Sequence, residues 1–146
     1  MGTRRKAREV ALQVLFQIDV SQVDVDEAVE LFWNNFEAPE NVREFSTHLI
    51  RGTHSQLMEI DELIKSCSEN WSLDRMSKVD KNILRLAVFE LVYCDDIPPK
   101  VTLNEAIDLG KYYGSENSGS FINGILDALY TKLLQEDPDK NIVGTS

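Results

Sequence analysis

Apolar residues recur along almost the whole chain at the three-and-four spacing of an α-helix, and no stretch alternates as a half-buried strand would. After Ala7, the residues Val10, Ala11, Val14, Leu15 and Ile18 share one face, which predicts a first helix over about 4–20. Asp24 or Asp26 can cap a second, carrying Ala28, Val29, Leu31, Phe32 and Phe36 and stopped near Pro39. A third begins near Pro39 or Glu40 and buries Val42, Phe45, Leu49 and Ile50. Gly52 is expected to bend or break it, and Leu57, Ile60, Leu63, Ile64 and Cys67 continue a fourth. A connection from Glu69 to Arg75 then separates two halves. Ser77 and Asp80 have the spacing of a capping box, with Asp in place of the usual Glu, and open a segment with apolar residues on every side: Val79, Ile83, Leu84, Leu86, Ala87, Val88 and Leu91. A helix apolar all round belongs at the centre of a bundle. Ile97-Pro98-Pro99 ends that region, because proline has no amide hydrogen to donate. Thr102 and Glu105 form a second capping box, for a helix to about Tyr113 closed by a left-handed Gly114. The polar turn Ser115 to Gly119 leads into a last helix with Phe121, Ile122, Ile125, Leu126, Leu129 and Leu133.

The expected fold is therefore all-α, a compact bundle of about seven helices filling one domain over 1–136, with subdomains of about 1–68 and 77–136. Residues 137–146 form a polar tail expected to fray. At 146 residues the chain can bury a sizeable core without disulfides or metals. Cys67 and Cys94 lack metal-ligand spacing and read as free thiols, and no apolar run is long enough to span a bilayer. The basic N-terminus lacks the apolar stretch and cleavage site of a signal peptide, so the chain reads as cytoplasmic.

Catalytic constellations are scarce. His48 and His54 are six apart, on different helix faces. Gly114 to Gly119 has the glycine spacing of a phosphate loop, but Ser120 and Phe121 stand where the loop needs Lys and Ser or Thr. No nucleophile elbow or dinucleotide fingerprint appears, so neither an enzyme nor a cofactor is expected.

The charge distribution says more. Of 15 basic residues four, Arg4, Arg5, Lys6 and Arg8, crowd the first eight positions, where no acid occurs; the remaining 11 face 25 acids. The net charge of −10 thus divides into a head of +4 and a body of −14, which suggests two surfaces with different partners. On a wheel the apolar set of the first helix lies opposite Arg5, Glu9, Gln13 and Phe16, which puts an aromatic on the polar face. Guanidinium and ammonium groups that neutralise phosphates, beside a ring on which an unpaired base can stack, are what single-stranded RNA recognition uses. The competing reading makes the head a solubilising terminus and tucks Phe16 under a neighbouring helix. The turn Ser115 to Ser120 suits either phosphate contacts at a helix start or a plain cap. Gly124, inside the last helix, suggests close packing against another backbone. Glu90 lies on an apolar stripe and needs a buried partner, for which Arg51 and Arg85 are the candidates.

Four blocks together resemble the NusB family: Arg4-Arg5-Lys6-Ala7-Arg8-Glu9 with Ala11-Leu12-Gln13 and Phe16; Val79 to Leu91; Ile97-Pro98 with Asn104-Glu105-Ala106; and Gly114-Ser115-Glu116 with Phe121 to Asp127. The resemblance spans nearly the whole chain in order and spacing. It implies two packed three-helix bundles and a non-catalytic adaptor of transcription antitermination. Such an adaptor binds boxA RNA of ribosomal RNA leaders together with the ribosomal protein NusE, within a complex that keeps RNA polymerase reading through terminators. By position, Arg4, Arg5, Lys6, Arg8, Gln13 and Phe16 would face RNA, joined by Asn117, Ser118 and Phe121, while Asp74 and Asp80 would meet NusE. Phe16 stands where tyrosine is more frequent, so stacking is kept and a hydroxyl is lost. The alternative implied by the resemblance is a stand-alone RNA-targeting module of an rRNA cytosine methyltransferase system. Whether the free protein is a monomer or a homodimer hiding its RNA face stays open at this level.

Overall fold

The computed structural model describes residues 2–68 and 72–136; residues 69–71 of the expected connection and the tail from 137 lie outside the described residues. Seven α-helices occupy the described chain: α1 (Gly2–Ser21), α2 (Val25–Asn35), α3 (Glu40–Ser55), α4 (Leu57–Cys67), α5 (Lys78–Tyr93), α6 (Pro99–Tyr113) and α7 (Ser118–Glu136), with a short 3-10 turn at Leu73–Arg75. The spacing that predicts α1 is the spacing that is buried: Ala7, Val10, Ala11, Val14, Leu15 and Ile18 all face the core. Gln22 ends the helix with a φ of 56°, the left-handed conformation that turns the chain out of a last helical turn. Asp24, not Asp26, caps α2, its carboxylate accepting from the amides of Asp26 and Glu27. Ser77 caps α5, accepting from the Asp80 amide at 3.1 Å.

The helix α5 is the axis of the fold. Ile83, Leu84, Leu86, Ala87, Val88, Phe89 and Leu91 are all buried, and α1, α3, α4, α6 and α7 all pack against it. On one side α1 and α3 pack closely and α2 lies across both; on the other, α6 and α7 form the tightest pair and α4 joins them through α5 and α7. The change of bundle therefore falls at the α3–α4 junction, at Gln56, rather than in the connection around 69–76, and α4 sits with the C-terminal helices. Packing decides this, since Ile60 and Ile64 find their apolar partners on α5 and α7.

Four local expectations need correcting. Gly52 neither bends nor breaks α3, which runs on to Ser55; its role is clearance, because a Cβ there would lie 2.1 Å from the ring of Phe89. Gly52→Ala should cost about 1–3 kcal/mol through overpacking, measured as a lower denaturation midpoint, whereas Gly124→Ala, with open space around it, should stabilise the helix by up to about 1 kcal/mol. Open space around Gly124 also removes the expected backbone packing there. Thr102 and Glu105 do not cap α6, which starts three residues earlier at Pro99, the position where a missing amide hydrogen costs nothing. Gly114 closes α6 in an extended conformation rather than a left-handed one, and glycine is needed because a Cβ would strike the Ser118 side chain at 2.3 Å.

Candidate nucleic-acid interface

The basic head is the first two turns of α1, and its residues have separate fates because a helix turns each in a different direction. Arg8 points inward. Only 3% exposed, it donates to both carboxylate oxygens of Glu90 at 2.8 and 2.9 Å, and Thr102 donates its hydroxyl to the same carboxylate at 2.9 Å. The partner of Glu90 is thus Arg8, not Arg51 or Arg85, which pair with Asp26 and Asp61. A forked guanidinium matched to a carboxylate, with a hydroxyl on a further lone pair, is how a charge pair survives inside an apolar core. This takes Arg8 off the surface expected to meet RNA.

Arg4, Arg5 and Lys6 point outward. The guanidinium of Arg4 lies over the Phe45 ring, 4.3 Å from its centre, and reaches Asp96 at 3.5 Å. Arg5 donates to Glu105 at 2.6 and 3.2 Å and to Asp108 at 2.8 Å. The head is therefore not a set of unpaired cations, although both arginines keep about half of their side-chain surface in solvent. Lys6 is exposed and meets no carboxylate among the described residues.

Further along the same face Gln13 is exposed and Phe16 is half-buried, so its ring is neither entombed nor fully free. The turn between α6 and α7 divides similarly. Asn117 is exposed; Ser118 is buried, its hydroxyl accepting from the Ser115 amide at 2.9 Å. Ser118 therefore shapes the turn from within. Phe121 is half-buried and packs against the core.

Sequence reasoning missed how these two regions meet. Arg5 and Glu9 of α1 and Asp108, Lys111 and Tyr112 of α6 line a groove of about 560 Å³. Tyr113 stands on its wall, where burial, then the nearby Glu9 carboxylate, raises its hydroxyl's pKa. Tyr112 is 77% exposed. A wheel turns it about 110° from the buried stripe of Thr102, Ala106, Leu109 and Gly110, so its exposure is readable from α6 alone.

Electrostatics pin the head to the body. The hydrogen bond from Arg5 chiefly holds the Glu105 carboxyl below its ordinary value of 4.5; burial opposes this and the charges of Arg5 and Arg8 reinforce it. At the other end of α1, burial would raise Asp19, but hydrogen bonds from Lys81 and Asn82 and the charges of Lys81 and Arg85 hold it below 3.8. Both groups bind protons less tightly folded than unfolded, so their contribution is complete above about pH 5 and fades as pH falls through the lowered values. Denaturation midpoints should fall between pH 5 and pH 3, and Glu105→Gln should flatten that slope; an unchanged slope would remove Glu105 from the account.

The acidic candidates sit on the far side of the sequence connection. Asp74 is exposed in the 3-10 turn, while Asp80, in the first turn of α5, is 8% exposed with its Oδ1 lacking a hydrogen-bond partner.

Residues 5–131 match the sequence profile of the NusB family. The chain belongs to the NusB family. Among similar proteins, the transcription antitermination protein NusB of Syntrophus aciditrophicus is 61% identical over 97% of this chain and 88% of its own. The NusB protein of Anaeromyxobacter dehalogenans is 52% identical over 89% of this chain and 92% of its own. Solved structures agree: NusB of T. maritima superposes with a TM-score of 0.81 at 39% identity, covering 88% of this chain and 91% of that one. A complex of the antitermination factors NusB and NusE with double-stranded RNA contains a chain superposing with a TM-score of 0.81 at 30% identity, covering 90% and 98%. NusB proteins are non-catalytic RNA-binding factors, and no described helix here is long and apolar enough to cross a membrane.

Proposed function

We propose that this NusB-family chain is a transcription antitermination adaptor that grips single-stranded boxA-type RNA on the outer face of α1 and carries it, with NusE, into the RNA polymerase antitermination complex. The observation that carries the reading is the arrangement of Arg4, Arg5, Lys6, Gln13 and Phe16, outward and accessible along one helix of an acidic molecule, with Asn117 at the nearby turn. Arg8 and Ser118 serve the same surface from inside, one fixing α1 to α5 and α6, the other shaping the turn. The surface pairs of Arg4 and Arg5 do not prevent phosphate binding, because exposed ion pairs are weak and a phosphate offers the guanidinium an equivalent acceptor. Asp74, exposed in the 3-10 turn before α5, is where a lysine or arginine of a basic ribosomal protein would dock, with Asp80 adding negative charge from just beneath the surface. The solved complex of relatives, containing NusB, NusE and RNA together, supports both partnerships.

The test is fluorescence anisotropy with labelled boxA RNA, with and without NusE. Phe16→Ala should weaken RNA binding about fivefold or more through lost stacking while leaving NusE binding unchanged. Equal affinity of variant and parent would remove Phe16 from the RNA surface, and absence of RNA binding by the parent, even with NusE, would end the proposal.

A further inference from the structure

We infer that the groove between α1 and α6 is a pocket for one unpaired nucleobase, stacked on Tyr112, which extends the RNA path beyond the α1 face; the inference rests on the RNA-binding reading above. Tyr112 leaves 77% of its surface in water, yet its ring is not loose. It meets Tyr113 in a T-shaped contact, with centroids 4.7 Å apart at 81°. A ring packed on its neighbour with most of its surface in solvent is a platform on which a base can stack, and every base has a π-face to place there.

The charges of the groove indicate which part of the nucleotide enters. Arg5 and Lys111 are met there by Glu9, Glu105 and Asp108, so the interior does not suit a phosphate. Of these carboxylates, Glu105 is engaged by Arg5 through two hydrogen bonds. Asp108 accepts from Arg5 through Oδ2 only and is half-exposed, which leaves acceptor capacity facing the groove. Carboxylate acceptors read the exocyclic amino group of a base, as Asp and Glu do for cytosine N4. The ligand is therefore a base with an amino edge, cytosine, adenine or guanine, in preference to uracil, which has none.

The experiment uses the full chain and single-stranded oligocytidylate, oligoadenylate and oligouridylate, each about a dozen nucleotides long, in anisotropy titrations. Tyr112→Ala and Tyr112→Leu should each lose about fivefold or more in affinity for the cytosine and adenine oligomers, and Tyr112→Phe should keep it, since stacking needs the ring and not the hydroxyl. Asp108→Asn should narrow the preference over oligouridylate. The residue is exposed, so folding is checked simply by an unchanged circular dichroism melt. Affinity unaffected by Tyr112→Ala while Phe16→Ala reduces it would overturn the base pocket and leave the RNA-binding face standing. Loss in Tyr112→Phe equal to that in Tyr112→Ala would overturn stacking, and no binding of any oligomer or of boxA RNA by the parent would overturn both.

Discussion

Glu90→Ala should destabilise the protein by about 3–5 kcal/mol, the usual cost of stranding one member of a buried ion pair. Arg8, now 3% exposed, would be left with Glu105, 3.6 Å from Nη1, and the Phe45 ring, 5.7 Å away, to offset its charge, and the Thr102 hydroxyl would lose its acceptor. For a domain whose total stability is of the order of 5–15 kcal/mol this approaches unfolding at growth temperature, and the melting temperature should fall by roughly 10–15 °C. Replacing both partners with apolar residues of similar size, Arg8→Met with Glu90→Leu, should recover much of the loss, because no charge then remains to be buried. Equal losses in the single and double variants would mean that packing volume, not charge, dominates the site. The pair also has a functional consequence. It fixes the rotation of α1 about its own axis, and that rotation alone decides which of Arg4, Arg5, Lys6, Gln13 and Phe16 look outward.

Arg5→Glu with Lys6→Glu should weaken boxA RNA binding about a hundredfold near 0.1 M salt, without lowering the melting temperature by more than a few degrees. Both side chains are exposed, so the fold loses the contacts of Arg5 with Glu105 and Asp108 and gains a repulsion between carboxylates that solvent screens. The diagnostic quantity is the salt dependence. Two phosphate contacts removed should reduce the slope of log affinity against log salt by about 1.4 for a single strand. Arg8 is unsuitable for this test, since reversing its charge would put two carboxylates face to face in the core and confuse folding with binding. Affinity and slope both unchanged would show that the head is a solubilising terminus.

Most of the architecture is legible in the chain because helical periodicity reports burial directly. The faces of α1, α5 and α7 read from spacing are the faces buried in the structure, and Ser77 caps α5 as its spacing indicates. What was not legible depends on long-range packing. Thr102 and Glu105 have a capping-box spacing, yet α5 and α1 recruit both, so Pro99 starts the helix instead. Gly52 looks like a breaker until Phe89 arrives from another helix to fill the space above it. The basic head shows the same division. Its composition marks a surface for a polyanion, but only the position of Glu90, eighty-two residues away, reveals that Arg8 belongs to the core. Tyr112 was within reach of a wheel on α6; its neighbourhood with Arg5 was not, because no local pattern states that α1 and α6 share a groove.

Backbone amide shifts recorded as boxA RNA is titrated into the labelled protein test directly whether RNA lies along the outer face of α1. Changes should concentrate at Arg4 to Lys6, Gln13, Phe16 and Asn117, with a second group at Lys111 and Tyr112. Shifts confined to α2 and α3, with α1 and the α6–α7 turn unmoved, would contradict it.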